Sequence, residues 1–456
     1  MKSRKSMDLT QGSVPKLLLA FVIPIILTNV LQTLYSAADK IVVGQLAENG
    51  ALALAAVGST TSATHLIIGL FNGSSIGVNV VCANLIGAGN KKDLRRAMYT
   101  AVLISLLCGL FLAVFGVLMA GSILNWLSTP TDVFPLAKRY MQIVFIGVPS
   151  LLLYNFGAAI LRSHGDTKRP MYIMIVSGLV NVVLNLVLVL AFRMSVEGVA
   201  IATVVSQTLS ACWVLKILFD PKDQYQLKLR EVRIHGDQLG SIARVGIPSG
   251  LGGIVFSVSN VVIQSTANAL ALTNDGLLAG KAAVSDITGI LNQIITAMMA
   301  GCVSFAGQCY GAKNYKRIDK MAGWACVLLY MILGVIVGVC VVFAEQVIGL
   351  FNTEQSVIES GALLLRIQSI GFVIYIPAEV FLGCSRGMKR ATMPTVLNLI
   401  GICATRMIWV LFIYPLSPQV FMLFLCYPVS WAMSAILQSS YYFYTRRKID
   451  KQALGG

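Results

Sequence analysis

Three carboxylates lie inside long apolar segments of this chain, where an ionisable side chain is rare. Of the 19 aspartates and glutamates, Asp39, Asp286 and Glu379 are the ones that stand within such segments away from a loop. A charge in hydrocarbon costs at least ~3 kcal/mol, so each should face a partner or a wet cavity. A carboxylate in such a position can bind a proton or a small cation, or it can attract an organic cation.

Asp39 ends a polar stripe on an otherwise apolar helix. The stripe consists of Thr28, Gln32, Tyr35 and Asp39, spaced four, three and four residues apart. This spacing places the side chains on one helical face. A second stripe, at a spacing of four, consists of Ser177, Asn181 and Asn185. Amides that face lipid would leave donors and acceptors unpaired, so both stripes should point inward, as cavity lining or as interhelical hydrogen bonds.

Three basic side chains also fall within apolar segments. Lys40 is turned about 100° around the helix from Asp39, and its long stem can reach the membrane interface. His65 fits hydrogen-bonded packing better than a proton relay. Arg406, in the second half of the chain, is open to a structural or a functional interpretation.

Membrane-spanning helices must position these side chains. The chain has 456 residues, of which 57% are hydrophobic and 12% are charged, and its mean hydropathy is +0.79. Soluble domains contain about 25% charged residues. The apolar runs are continuous, unlike the alternating strands of a transmembrane barrel, and are long enough to cross ~30 Å of hydrocarbon as helices. They predict an all-α integral membrane protein with twelve spans, at residues 16–44, 52–86, 98–124, 137–163, 169–192, 196–219, 239–271, 278–308, 321–345, 358–385, 391–416 and 419–445.

The distribution of charge predicts the orientation of these spans. Lysines and arginines outnumber acidic residues 35 to 19, which gives a net charge of +16. Most of them fall near the termini and in alternate loops such as GNKKDLRR and GAKNYKRIDK. This pattern predicts cytoplasmic termini and anionic lipid, rather than nucleic acid, as the partner of the charge. The ten cysteines are scattered and the three histidines far apart, so we expect neither disulfides nor a metal centre.

The chain contains an internal duplication at an offset of 224 residues. Identical residues that superpose at this offset include Pro24 and Pro248, Gly87 and Gly311, Asn90 and Asn314, and Arg162 and Arg386. We predict two six-helix bundles, residues 1–219 and 239–456 with a cytoplasmic linker at 220–238, related by a pseudo-two-fold axis along the membrane normal. The two prolines, inside the first span of each half, are candidate hinges, and static kinks that help packing are the alternative interpretation.

The halves share glycines, prolines and loop cations, but their polar intramembrane residues differ. At the same offset, the pairs are Asp39 and Ile263, Asn155 and Glu379, Asn181 and Thr405, and Asn185 and Trp409. We therefore expect the chemistry to be divided, with an aspartate and amide cluster in the first half. The second half would contribute Asp286, Glu379 and Arg406.

The chain resembles the multidrug and toxin extrusion (MATE) transporters over nearly its whole length. Three segments carry the resemblance: LQTLYSAADKIVVGQL, YNFGAAILRSHGDTKRP and NVVLNLVLVLAF. The resemblance implies a bacterial plasma-membrane antiporter that exports organic, often cationic compounds in exchange for H⁺ or Na⁺. It implies small organic substrates, no cofactor beyond the coupling ion, and we expect a monomer. Carried over by position, the coupling residues are Asp39, Asn155, Asn181, Asn185 and Thr203, and a possible Na⁺ would bind at Asp39.

Asn185 departs from the family pattern, because many members have an aspartate at this position. Loss of a second carboxylate weakens a Na⁺ site and favours protonation of Asp39. We assign Gln32, Tyr35, Asp286, Glu379 and Arg406 to the substrate cavity.

Two other functions would require different residues. A lipid-linked oligosaccharide flippase of a related fold is the alternative, although it would favour a more basic cavity. An intramembrane enzyme would need a catalytic constellation that the isolated acids and histidines do not provide. The segment around Gly280 and Lys281 lacks the remaining residues of a Walker A motif, so ATP is not the expected driver.

Overall fold

The computed structural model describes residues 7–46, 49–221, 223 and 225–454. Within these ranges, the side chains of residues 62, 63, 65, 66, 72, 229 and 258 lie outside the description, which includes the interpretation given for His65.

The described residues form α-helices with short connections and no strand. Twelve helical segments in this part of the chain are long and apolar enough to cross a membrane, which confirms the predicted all-α membrane fold and its number of spans. The helices of the first half are α1 (Val14–Leu46), α2 (Gly50–Gly87), α3 (Lys91–Trp126), α4 (Phe134–Ser163), α5 (Lys168–Leu186) and α6 (Val196–Phe219). Those of the second half are α7 (Gly236–Leu270), α8 (Leu277–Gly311), α9 (Tyr315–Val342), α10 (Ala344–Gly349), α11 (Gln355–Gly387), α12 (Thr392–Asn398), α13 (Thr405–Ile408), α14 (Val420–Phe424) and α15 (Cys426–Leu454).

The helices divide into two compact units. The first includes residues 20–250 and the second includes residues 10–19 and 251–454, so α7 contains the division. Pro24 and Pro248 both lie inside continuous helices, α1 and α7. Their role as hinges and the domain limits expected from the sequence remain predictions.

Each unit contains two deeply buried helices. In the first unit, the buried share of the most apolar window is 59% in the Ile67–Gly87 part of α2 and 61% in α4. In the second unit it is 67% in α8 and 72% in α11, against 33% in α1 and α3. Small residues allow neighbouring helices to reach these centres closely. A Cβ added to Gly109 of α3 would lie 2.5 Å from Pro149 Cα, and one added to Gly280 of α8 would lie 2.8 Å from the backbone of Gly361.

Close packing also explains two of the three glycines spaced by four on α2. A Cβ on Gly73 would lie 2.3 Å from Gly250 Cα, and one on Gly77 would lie 2.3 Å from the Ile242 carbonyl oxygen. Gly69 has no neighbour within 4 Å of such an atom. The spacing therefore marks a close contact between α2 and α7 at Gly73 and Gly77, but not at Gly69.

Local widening of the helix occurs at corresponding positions of the two halves. Val187–Ala191 continues α5 as a π-helix, and Trp409–Ile413 does the same after α13. A further π-helical segment, Leu399–Ala404, joins α12 to α13. Such segments interrupt the regular ladder and often occur beside functional side chains. The first of them begins two residues after Asn185.

Candidate cation-coupling site

Asp39 of α1 meets polar side chains of α5 and α6 in the first unit. Asn185 Nδ2 donates to Asp39 Oδ1 at 2.5 Å, and Thr203 Oγ1 lies 3.5 Å from Asp39 Oδ2. Asn181 extends the network, because its Nδ2 lies 3.4 Å from Thr203 Oγ1 and its Oδ1 lies 3.4 Å from Asn185 Nδ2. Both asparagines are buried, at 5% and 0% exposure. Four of the five residues proposed for coupling therefore form one cluster.

The hydrogen-bond partners described for the Asp39 carboxylate are neutral groups. No lysine, arginine or histidine of the described chain lies within 4 Å of its carboxylate. Thr203 has one hydroxyl proton, and its oxygen also lies 2.9 Å from the Val199 carbonyl oxygen, a favourable acceptor. With that proton engaged, Thr203 Oγ1 can accept a hydrogen bond from a protonated Asp39.

A cavity of about 120 Å³ opens beside this cluster. Its polar lining comes from Gln32, Tyr35, Ser36, Asp39, Ser177, Asn181, Thr203, Ser206, Gln207 and Ser210. A polar cavity of this size holds several water molecules, because one water needs only about 10–15 Å³ of such space. Water can therefore reach the carboxylate, which a proton or cation exchange site requires.

Tyr35 occupies its place because Gly178 makes room for it. A Cβ at Gly178 would lie 1.8 Å from the Tyr35 ring, so the ring packs directly on the backbone of α5. The Tyr35 hydroxyl is 3.4 Å from the Ile175 carbonyl oxygen. Thr28, at the other end of the stripe, donates to the Pro24 carbonyl oxygen at 2.7 Å and does not line the cavity.

Neither Asn155 nor Lys40 is among the described residues that line the cavity beside Asp39. Asn155 is on α4 one residue from Tyr154, which does line the cavity, but Asn155 itself is not among the described lining residues. Lys40 is exposed, as expected for a side chain turned away from Asp39. Its reach to the interface remains a prediction.

The sequence interpretation included Thr203 of α6 but missed three other residues of that helix. Ser206, Gln207 and Ser210 line the cavity together with Thr203. Their spacing of three, one and three residues follows one helical face, so this stripe was visible in the sequence. Tyr154, by contrast, gives no periodic signal and is placed by packing, with its hydroxyl 3.3 Å from the Pro170 carbonyl oxygen.

Arg406 lies in a closed cluster of the second unit. Its side chain is 1% exposed, with Nε 3.1 Å from Ser430 Oγ and Nη1 2.9 Å from Asn260 Oδ1. Three aromatic rings surround the guanidinium, whose Cζ lies 4.5 Å from the Tyr427 ring centroid, 5.4 Å from that of Phe256 and 5.8 Å from that of Trp431. Neutral oxygens and ring faces thus replace a carboxylate partner.

The two acids of the second unit are in different surroundings. Glu379 is 8% exposed and accepts a hydrogen bond from the Tyr375 hydroxyl. The Tyr375 ring stacks on Trp431 at 5.5 Å, which connects Glu379 to the Arg406 cluster through packing. Asp286 is exposed on α8. The structure therefore does not gather Asp286, Glu379 and Arg406 into one open cavity within this unit, and their role toward substrate stays a prediction.

Comparison with known proteins assigns the family. The MatE family model matches residues 24–187 and 248–411, two segments separated by the same 224 residues as the internal duplication. The chain is 27% identical over 446 residues to the probable multidrug resistance protein YoeA of Bacillus subtilis, covering 94% of this chain and 93% of the relative. It is 30% identical to the probable multidrug resistance protein YpnP of the same organism, covering 88% and 89%.

A solved structure of a MATE protein in complex with MaD5 has the same fold, with a TM-score of 0.90 at 23% identity and coverage of 99% of this chain and 100% of that one. The chain is a multi-pass membrane protein and belongs to the MatE family of transporters, as the sequence motifs indicated.

Proposed function

We propose that this protein is a proton-coupled antiporter that exports organic cations from a bacterial cell, with Asp39 as the coupling carboxylate. The observation that carries the proposal is the cluster around Asp39: an acid without a basic partner among the described residues, held by neutral donors beside a polar cavity. The relatives named as multidrug resistance proteins support the export of drugs or toxic metabolites.

Coupling follows from the cost of enclosing a charge. When Asp39 is ionised, closure of a dry interface over the cavity removes its water and leaves the charge poorly compensated. A bound proton or cation cancels the charge and so favours the closed arrangement. Alternating access then results if one access state binds the proton and the other binds the substrate.

The geometry favours a proton over Na⁺. Asn185 and Asn181 present amide nitrogens toward Asp39 and Thr203, whereas a hard cation binds through oxygens. A proton needs only the carboxylate and one acceptor, and Thr203 Oγ1 is in position to be that acceptor.

The basic loops support an orientation with both termini in the cytoplasm, in the plasma membrane. We also propose that the protein acts as a monomer, since every residue that lines the cavity beside Asp39 belongs to a single unit of the chain. The flippase alternative is not favoured, since its main candidate for a pyrophosphate ligand, Arg406, is buried among aromatic rings.

The decisive experiment is ethidium efflux from proteoliposomes under separately imposed pH and Na⁺ gradients. We expect the pH gradient to drive wild-type transport and the Na⁺ gradient alone to give none. Asp39→Asn should abolish the driven transport while folding normally, because the amide cannot exchange a proton. Asp132→Asn, which removes an exposed acid from a loop, is the matched control and should transport normally. Driven transport by Asp39→Asn, or transport driven by Na⁺ alone, would contradict the proposal.

A further inference from the structure

A second and larger cavity, of about 670 Å³, lies where the start of α3 meets the segment between α6 and α7. Six cationic side chains line it: Lys91, Lys92, Arg95, Arg96, Arg230 and Arg233. Tyr99, Glu231 and His235 complete the lining. The volume falls within the roughly 300–1,000 Å³ typical of small-molecule sites. The cavity lies on the face predicted to be cytoplasmic and shares no lining residue with the cavity beside Asp39.

The positive charge in this cavity is largely uncompensated. Among the described residues, only Arg96 of the six cations has a carboxylate within 4 Å, that of Asp93 at 3.5 Å. Glu231 is the one acid in the lining, and it pairs with Lys228 at 3.5 Å. Bringing like charges together is unfavourable, and it creates a strong positive potential within a concave surface. Such a potential is suited to a ligand with several negative charges.

The cavity is a fixed structure, since the segment that forms its second wall is anchored to α3. The Tyr99 hydroxyl donates to Glu231 Oε2 at 3.0 Å and accepts from the Lys228 backbone N–H at 3.0 Å. This hydrogen bond holds the pKa of Glu231 below its usual range. The His235 backbone N–H donates to Thr100 Oγ1 at 3.0 Å. Arg230 and Arg233 lie between these two anchors.

The anchored segment also has a hydrophobic attachment. Tyr225 and Leu227 are 1% and 3% exposed and belong to the core cluster that contains residues of α3 and α4. The Arg233 Nε donates to the His235 ring at 3.2 Å, which limits the freedom of that guanidinium. The Arg233 guanidinium and the backbone that carries Arg230 are therefore held in position before any ligand binds, which lowers the entropy cost of binding.

The corresponding loop of the second half shows that the positive-inside pattern alone does not produce such a site. At the offset of 224, Arg95 corresponds to Asp319, which Arg446 binds through two hydrogen bonds of 2.8 Å and Tyr442 through one of 2.6 Å. Arg317 donates to the carbonyl oxygens of Gln11 and Gly12 at 2.7 and 3.0 Å. Arg317 and Asp319 of this loop are thus engaged within the protein, whereas five of the six cations that line the first-half cavity have no carboxylate within 4 Å in the described part of the chain.

We propose that the basic cavity between α3 and the α6–α7 segment binds a phosphate-bearing anion with at least two negative charges. Arginine offers planar pairs of donors that match phosphate oxygens, and lysine adds a mobile point charge. The cavity lies at the beginning of α3, at the end of a membrane span, so both a lipid headgroup and a free phosphate compound can reach it. A bound anion would link α3 to the segment that leads into α7.

The first test measures binding of inorganic pyrophosphate to the purified full-length protein by calorimetry. In the test variant, Lys92, Arg95 and Arg233 are replaced together by Gln. In the matched control, Lys313, Lys316 and Lys320 of the second basic loop are replaced by Gln, which removes the same charge. Three lost charge-assisted bonds should weaken binding at least about tenfold in the test variant, and the control should change less than about twofold. Absence of saturable binding to the wild type, or an equal loss in both variants, would overturn the proposal.

A second arm distinguishes the sources of the phosphate. Pyrophosphate binding is measured for the protein in nanodiscs of phosphatidylcholine with or without cardiolipin, a lipid whose headgroup carries two phosphates. Weaker pyrophosphate binding to the wild type in the presence of cardiolipin, together with less cardiolipin retained by the test variant than by the wild type, identifies a lipid headgroup as the occupant. Equal binding in the two lipids identifies a free phosphate compound.

Tyr99→Phe tests whether the cavity acts as a fixed site. This variant keeps all six cations and loses the hydroxyl that holds Glu231 and Lys228. We expect a severalfold loss of pyrophosphate affinity, with a thermal melt confirming that the protein is folded. Wild-type affinity in Tyr99→Phe would contradict the anchored geometry.

Discussion

Gln207 lines the cavity beside Asp39 in the first unit, whereas its counterpart at the 224-residue offset, Trp431, fills the centre of an aromatic cluster in the second unit. Two further lining positions differ in the same way. Leu151 corresponds to Tyr375 and Thr203 to Tyr427, and both tyrosines pack on Trp431. Three equivalent positions of the repeat thus line a water-accessible cavity in the first unit and hold packed aromatic rings in the second.

The difference shows how a duplicated scaffold can divide its work. The smaller lining side chains of the first unit leave room for water beside a carboxylate that is held by neutral donors. In the second unit, aromatic rings occupy that room and enclose Arg406, while Ile263, the counterpart of Asp39, is fully buried. The first unit is therefore suited to the exchange of an ion at its carboxylate, whereas the aromatic packing of the second unit favours rigidity.

Removing the central ring of the second unit should have the largest effect. Trp431 is 5% exposed and contacts Phe372, Tyr375, Tyr427 and Arg406. Trp431→Gln places at this position the residue type of its first-unit counterpart, Gln207. The substitution should lower the free energy of unfolding by about 3–5 kcal/mol through lost packing. Thermal unfolding measures this, with Trp126→Gln, at a site 77% exposed, as the control. Equal melting temperatures for the two variants would show that the cluster is not tightly packed.

The second prediction concerns His164, which caps α4 just outside the membrane span. Burial lowers its pKa to about 4, and its ring meets that of Tyr225 edge-on at 4.7 Å. As the pH falls below about 6.5, His164 binds a proton in the unfolded chain but stays neutral in the folded protein. The free energy of unfolding therefore decreases until the pH reaches the pKa of His164 in the folded protein. The loss over this window should be about 3 kcal/mol.

The corresponding residue of the second unit, Met388, is buried and carries no charge. His164→Met copies it and should flatten the decline of melting temperature with falling pH. The control Phe192→Met replaces an exposed ring that carries no ionisable group and should leave the decline unchanged. An unaltered decline in His164→Met would show that other groups cause it.

A third substitution fills the cavity of the first unit. Gln207→Trp gives it the residue of the second unit and should reduce driven ethidium efflux at least about tenfold, since overpacking costs about 1–3 kcal/mol and blocks water beside Asp39. Thr208→Trp, at the next and exposed position of α6, is the matched control and should retain transport. Full transport by Gln207→Trp would mean that the ion path does not use this cavity.

The smallest expected effect comes from a single methyl group. Gly178→Ala places a Cβ within 1.8 Å of the Tyr35 ring, which must then leave its position above α5. Overpacking of this kind costs about 1–3 kcal/mol. Because the Tyr35 ring lines the cavity and must move away from the new methyl group, we expect a severalfold loss of transport. Gly289→Ala in α8 has no atom within 4 Å of the new Cβ and serves as the control. Equal rates for the two variants would exclude a role for the Tyr35 position.

Much of the site's organisation was predictable from helical spacing. The stripe through Gln32, Tyr35 and Asp39 and the one through Asn181 and Asn185 each follow a single face, and the structure brings the two faces together. The α6 stripe had equal spacing and could have been recognised. Asn155 was expected beside this cluster, but its face of α4 was not determined by any periodic pattern, and it does not line the cavity among the described residues.

The sequence by itself determined the twelve spans, the duplication at 224 residues and the polar faces, because hydrophobicity and spacing act along one helix at a time. Only the tertiary structure decided that Arg406 is enclosed, that Asp286 is exposed and that Tyr99 anchors a distant segment. Those outcomes depend on the volume and donors that neighbouring helices present. Such contacts join residues far apart in the chain, so no local pattern specifies them.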